Sequence, residues 1–128
     1  MIIADSDVLI DFLAGEGPAA DRVAALIAAG ALATTAINRL ELLAGVRGRK
    51  QEHVTRELLD ALPTLPADQS AADRAASIHR QLEQRGETIG MADSLIAGIA
   101  LENGASLLTH NMKHFARITE LTLIDAAR

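Results

Sequence analysis

The sequence predicts an α/β fold, with a short central parallel sheet flanked by helices in three α/β/α layers. Short apolar runs recur at 1–5, 31–33, 105–109 and 121–124, each too brief to be a buried helix. Between them lie segments with apolar residues at helical spacing, such as Ala71, Ala75, Ile78 and Leu82. Strands alternating with helices imply parallel pairing through crossovers. The chain has 128 residues, 49% of them hydrophobic, which is enough for one compact domain over 1–128 with its own core.

Each element follows in order. Residues 1–5 form the first buried strand, and Ser6 or Asp7 is the expected N-cap of a brief helix through Leu13. Gly15, Gly17 and Pro18 break the chain. A helix over Ala19 to Ala29 stops at Gly30, whose lack of a side chain suits a left-handed helix end. Ala31 to Ala33 is the second strand, after which Thr34 or Thr35 caps a helix running to Val46. An amphipathic helix spans about Lys50 to Leu62, where Leu58, Leu59 and Leu62 read as packing residues. Pro63 and Pro66 bracket a turn or short edge strand. Ser70 to Arg85 is helical and ends at Gly86, and Met91 to Glu102 is a helix apolar nearly all round, hence buried. Ala105 to Thr109 is a strand, His114 to Arg117 a helical turn, and Leu121 to Ile124 the last strand.

Composition narrows the class. There is no cysteine, so neither disulfides nor thiolate metal sites are available. No basic stretch leads into a long apolar segment at the N-terminus, and the apolar run Leu95 to Leu101 is far short of a membrane span. A cytoplasmic location away from membranes is expected. The net charge of −5 argues against a broad electrostatic nucleic-acid binder, though an enzyme can meet phosphate through bound cations. Basic residues gather at Arg47, Arg49 and Lys50, and more loosely at Lys113, His114 and Arg117. The aromatic residues are Phe12 and Phe115, so an aromatic stacking platform for bases is excluded.

Four polar side chains carry the functional reading. Asp5 closes the first apolar run, and Asn111 follows the Ala105 strand, where ligands of open parallel sheets bind. Asp93, with Ile96, Ala97 and Ala100 after it, falls on an apolar helix face, as does Glu41 between Ile37 and Ala44. A buried carboxylate is costly unless it is paired or bound to a metal. Hard cations such as Mg²⁺ or Mn²⁺ take oxygen ligands, and Asp5, Glu41, Asp93 and Asn111 supply that kind of shell. Metal-assisted phosphodiester hydrolysis is the reaction class that follows.

Plainer readings exist for each residue. Asp93 could be a first-turn acid favoured by the helix dipole. Asp5 could be a turn residue bonding its own backbone, and Glu41 could pair with Arg39 or Arg74. Ser6 and Thr109 read as a cap and a supporting partner of the site. Asp7 and Asp11 read as a cap and a solvated face. His110 and His114 have zinc-like spacing without a third ligand.

The motifs around these residues resemble a known family. Asp5-Ser6-Asp7-Val8-Leu9-Ile10-Asp11 after a strand is similar to the opening of a PIN domain. Ile37 to Gly45 resembles its second motif with Glu41 at the acidic position, Ile89 to Ala97 its third around Asp93, and Leu107 to Phe115 its fourth around Asn111. The resemblance spans essentially the whole chain. Its compact length resembles the VapC-type toxins of bacterial toxin–antitoxin pairs. It implies a PIN-like fold and a Mg²⁺-dependent endoribonuclease, with Mn²⁺ as a substitute. It also implies an RNA substrate, a cognate VapB-type antitoxin and a homodimer. Asp5, Glu41 and Asp93 would be the metal ligands, Asn111 a further catalytic residue, and Ser6, Thr109 and His114 supporting or substrate-facing groups. Asn111 stands where relatives often carry an acid, which implies a shell of three carboxylates and one well-held cation.

Two alternatives remain at this stage. Asp5 and Asp7 after a strand imitate the nucleophile motif of haloacid-dehalogenase-type phosphotransferases, which also need a lysine and a late acidic pair. A PIN scaffold that binds RNA or a protein partner without cutting is the non-enzymatic reading.

Overall fold

The computed structural model describes residues 1–128. Five parallel strands make one sheet: β1 (Ile2–Ala4), β2 (Leu32–Thr35), β3 (Thr64–Leu65), β4 (Ser106–Thr109) and β5 (Leu123–Asp125). Their order is β3-β2-β1-β4-β5, so the chain starts in the middle and builds outward on both sides. Seven helices connect them: α1 (Ser6–Ala14), α2 (Ala20–Ala28), α3 (Ala36–Ala44), α4 (Arg49–Asp60), α5 (Gln69–Gln84), α6 (Met91–Glu102) and α7 (Met112–Phe115). The expected α/β/α layering is what forms, and no helix is long and apolar enough to cross a membrane.

Strand alternation sorts the core into two halves. Ile3 and Leu107 point to the face covered by α5 and α6, joining Ile78, Leu82, Ile96, Ile99 and Phe115. Ala4 and Leu108, one residue on, point to the opposite face and join Val8, Leu9, Val23, Leu42 and Leu59. Leu58, Leu59 and Leu62 are core residues of this second face. Because both faces are covered, the strands read as unbroken apolar runs rather than as alternating ones.

Several boundaries differ from expectation, each for a local reason. The N-cap of α1 is Asp5 itself, in extended conformation with its carboxylate accepting from the Ser6 N–H, rather than Ser6 or Asp7. The strand therefore ends at Ala4 and the helix starts at once. β2 runs on through Thr34 and Thr35, and Thr35 caps α3 by accepting from Asn38 N. The last short helix lies at Met112–Phe115, two residues earlier than expected, and β5 begins at Leu123 after a turn that buries Leu121. Gly30 adopts φ 67 just past α2, the left-handed helix end its position suggested.

One glycine sets the closeness of two helices. A Cβ on Gly98 of α6 would lie 2.6 Å from the Ala71 carbonyl oxygen and 3.0 Å from the Ala75 nitrogen of α5. The hydrogen at that position lets the two backbones touch. The register of α6 on α5 is what carries Asp93 to the end of the sheet.

Candidate active site

The site forms at the carboxyl ends of β1, β2 and β4, where the strand order reverses between β1 and β4. Asp5, immediately after β1, is 7% exposed and serves as its anchor. Oδ1 accepts from the Ser6 N–H at 2.8 Å and from Asn38 Nδ2 at 2.9 Å. Oδ2 accepts from Thr109 Oγ1 at 2.7 Å, a bond that ties β1 to β4. Thr109 in turn accepts from the Asn111 N–H at 2.9 Å, which turns the chain sharply out of β4. Four donors thus converge around one carboxylate and its partner hydroxyl, and they hold its rotamer.

Asp93 enters from the first turn of α6. Burial foremost, then the negative charges of Asp5 and Glu41, push its carboxyl above the ordinary value of 3.8, and His114 pulls it partly back. Asp93 Oδ2 lies 4.0 Å from His114 Nδ1. Asn111 Nδ2 lies 3.2 Å from the same ring nitrogen. Which of the two groups donates depends on the imidazole tautomer. Glu41 is exposed rather than buried on the apolar stripe of α3, which corrects the expectation from its neighbours Ile37 and Ala44. What brings it to the site is Ser6 Oγ, which donates to Glu41 Oε1 at 2.8 Å. Its suggested arginine partners are engaged elsewhere, Arg39 with Asp60 and Arg74 with Glu102.

The expected residues therefore come together in one connected set. It runs from Glu41 through Ser6 and Asn38 to Asp5, and onward through Thr109, Asn111 and His114 to Asp93. The member whose role sequence reasoning missed is Asn38, fully buried and bonded on every side. Its signal was present, three residues before Glu41 in the second motif, but a lone helical amide carries no pattern of its own.

Asp7 and Asp11 also differ from expectation. Asp7 Oδ2 accepts from the His110 backbone N–H at 3.2 Å, and Asp11 Oδ2 lies 2.9 Å from His110 Nε2. Both acids thus pin the loop after β4 to α1 instead of capping the helix or facing solvent. Burial, then the Asp5 charge, raises the Asp7 carboxyl, against the lowering pull of His110. His110 and His114 are committed to different partners, so the zinc-like spacing does not make a zinc site. In the looser basic patch, Arg117 donates to the Glu87 and Thr88 carbonyls and braces the loop leading to α6.

The donor set fits a hard divalent cation. Its members are carboxylate and amide oxygens, and the mutual repulsion felt by Asp93 is what a cation would relieve. No three acidic or imidazole side chains close on one point as direct ligands. Hard cations that keep several waters take only one or two carboxylates directly. Beside Glu41 opens a cleft of about 650 Å³ between α1, α3 and α4. Ile10, Leu13 and Val54 give it apolar walls, and Arg47 and Lys50 stand at its basic side.

Comparison with known proteins agrees with this geometry. Residues 2–121 match the PIN domain family. Ribonuclease VapC10 of Mycobacterium tuberculosis is 35% identical over 121 residues, covering 94% of this chain and 90% of that protein. Ribonuclease VapC1 of Methanocaldococcus jannaschii is 31% identical over 122 residues, covering 95% of this chain and 84% of that one. Among solved structures, VapBC-1 from nontypeable Haemophilus influenzae matches with a TM-score of 0.80 at 26% identity, covering 100% of both chains. An anchored Asp5 at the switch point of a five-stranded parallel sheet and relatives of this similarity lead to one conclusion: the chain belongs to the PIN-domain family, among the VapC ribonucleases.

Proposed function

We infer that this chain is the toxin of a toxin–antitoxin pair, a Mg²⁺-dependent endoribonuclease acting in the cytoplasm on RNA phosphodiester bonds. The observation that carries the reading is the electrostatic one: Asp5, Glu41 and Asp93 stand close enough for two of them to raise the third. Crowded, half-buried carboxylates are relieved by a proton or by a cation, and a cation lets all three stay ionised near neutral pH. Asp5 and Asp93 would hold the ion, with Glu41 reaching it directly or through water. A bound cation of this kind makes water a usable nucleophile near neutral pH and offsets the charge of the phosphodiester.

The chain's own residues supply orientation. Thr109 holds Asp5 Oδ2 in place, so that oxygen needs no reordering when substrate arrives. Ser6 ties the otherwise free side chain of Glu41 to the same frame. Asn111 offers a neutral oxygen for water or metal, and His114 presents a ring N–H to a phosphate oxygen. The haloacid-dehalogenase alternative loses its footing, since Asp93 lies within a helix and Lys50 and Lys113 are exposed at the surface.

A VapB-type antitoxin is the proposed partner. The cleft beside Glu41 supports it, because a segment seated against Ile10, Leu13 and Val54 would end at the catalytic carboxylates. Such a segment would block RNA and site together.

The test is cleavage of a single-stranded RNA by purified protein across a Mg²⁺ titration. Asp5→Asn and Asp93→Asn should each slow cleavage at least 100-fold, about 2.7 kcal/mol of barrier, and should abolish growth inhibition on expression. Intact RNA at every Mg²⁺ concentration would leave a PIN scaffold that binds without cutting, and equal cutting by wild type and both variants would overturn the assignment of Asp5 and Asp93 to the chemistry.

A further inference from the structure

We propose that Asn38 is a positioning residue for this nuclease: its buried amide fixes the rotamer of Asp5 and directs the Ser6 hydroxyl proton onto Glu41. The proposal rests on the nuclease reading above and assigns a role to a residue which that reading does not require.

Asn38 is 0% exposed, near the N-terminus of α3, where an apolar residue such as leucine would be buried without polar cost and have better helix propensity. A buried amide is unfavourable unless every polar group is matched. Here every group is matched, and each match but one leads to the site. Thr35 Oγ1 donates to Asn38 Oδ1 at 2.7 Å while accepting from Asn38 N at 3.1 Å. That bond decides which end of the amide is oxygen, and so points the NH₂ group away from Thr35. The two amide protons then go to Asp5 Oδ1 and to Ser6 Oγ, both at 2.9 Å.

Direction follows from counting protons. The Ser6 hydroxyl has one proton, and because it accepts from Asn38 it must spend that proton elsewhere. Glu41 Oε1 at 2.8 Å receives it. Glu41 is exposed, and a long exposed carboxylate samples many rotamers unless something holds it. One amide therefore orders two carboxylates, one buried and one at the surface. An aspartate at this position would lack both donors, and an alanine would release Asp5 on one side and let the Ser6 proton turn away from Glu41.

Three measurements test this with wild type and Asp5→Asn alongside. In cleavage of single-stranded RNA, Asn38→Ala should lower kcat by about 10- to 100-fold, the usual loss when a partner of a metal-binding ligand is removed, while KM for RNA stays within about threefold. Calorimetry with Mn²⁺ alone should show weaker binding by a similar factor. Adding Ser6→Ala to Asn38→Ala should cost little more than Asn38→Ala by itself, because both act through one chain of bonds. In NMR spectra of the metal-free wild type, both Asn38 side-chain N–H protons should be protected from exchange. Asp5→Asn should perturb one of them and Ser6→Ala the other.

A folded Asn38→Ala with wild-type kcat and Mn²⁺ affinity overturns the proposal. If Asn38→Ala does not fold, the Asp5→Asn and Ser6→Ala spectra decide, and Asn38 amide signals unmoved by both overturn it. Wild type that fails to cut RNA would sink the nuclease reading, and the Mn²⁺ and NMR results would then judge Asn38 independently.

Discussion

Replacing Thr109 with valine removes one hydroxyl from the centre of the site while keeping the shape of the side chain. Thr109 is 0% exposed, so nothing from solvent can substitute for what is lost. Its Oγ1 donates to Asp5 Oδ2 at 2.7 Å and accepts from the Asn111 N–H at 2.9 Å. A hydrogen bond to a charged group is worth about 1.5–3 kcal/mol, and the N–H left without a partner costs about 1–2 more. The added methyl returns roughly 0.8 kcal/mol of burial. The net is about 2–4 kcal/mol. For a chain of this length, with unfolding entropy near 2.1 cal/mol/K per residue, that lowers Tm by about 7–15 °C. Asp5 also gains rotational freedom, so Mg²⁺-dependent cleavage should fall about 10- to 100-fold. Thr109→Ser is the companion variant: it keeps the hydroxyl, loses one methyl for about 1 kcal/mol, and should cut RNA near the wild-type rate. Thermal unfolding and a fluorogenic RNA assay on the three proteins settle the matter. A valine variant melting within about 2 °C of wild type and cutting normally would refute the reasoning, as would a serine variant that fails as badly as valine.

Other perturbations have equally definite outcomes. Because the folded-state carboxyl of Asp93 is raised, its contribution to stability is complete below the ordinary value of 3.8 and is lost as pH rises through the folded value. Metal-free Asp93→Asn should therefore melt at least as high as wild type at pH 7 in EDTA, with the gap closing as pH falls below 3.8. Saturating Mg²⁺ should reverse the order, since at a hundredfold excess over Kd a ligand adds about 2.7 kcal/mol to the protein that binds it. Asn111→Ala should slow RNA cleavage without moving the melt, Asn111→Asp should tighten Mn²⁺ binding by calorimetry, and His114→Ala should cost less activity than Asp5→Asn. Gly98→Ala drives a methyl to 2.6 Å from the Ala71 oxygen, so α5 and α6 must separate. Overpacking of about 1–3 kcal/mol outweighs the ~1 kcal/mol gain in helix propensity, and chemical denaturation should read a net loss.

The sequence made the strands and long helices legible because burial on both sheet faces leaves apolar runs such as Ile2–Ala4 that no other element explains. The three acids and Asn111 were legible for the converse reason, polar groups closing or interrupting those runs. Detail failed where several residues could play one part. Asp5, Ser6 and Asp7 are all capping types, and only the point where β1 stops selects Asp5. Asp7 and Asp11, four residues apart on α1, look like a solvated face until β4 delivers His110 against them. Glu41 was assigned to an apolar stripe by its neighbours, whereas the packing of α3 leaves it in solvent and a hydroxyl retrieves it. Asn38 was invisible as a hub because its value lies in partners from β1 and α1, which spacing within one helix cannot encode.

The bond between Thr109 and Asp5 joins residues 104 positions apart. At roughly 5–20 residues per second of synthesis, the second half of that bond leaves the ribosome some 5–20 s after the first. Until then the central strand has one edge open and its aspartate is without the hydroxyl that orients it. A growing chain therefore carries its acids before it has the bond that orients Asp5. For a protein whose activity would injure the cell making it, delay is a form of safety. A partner produced alongside has those seconds in which to be waiting when the sheet closes.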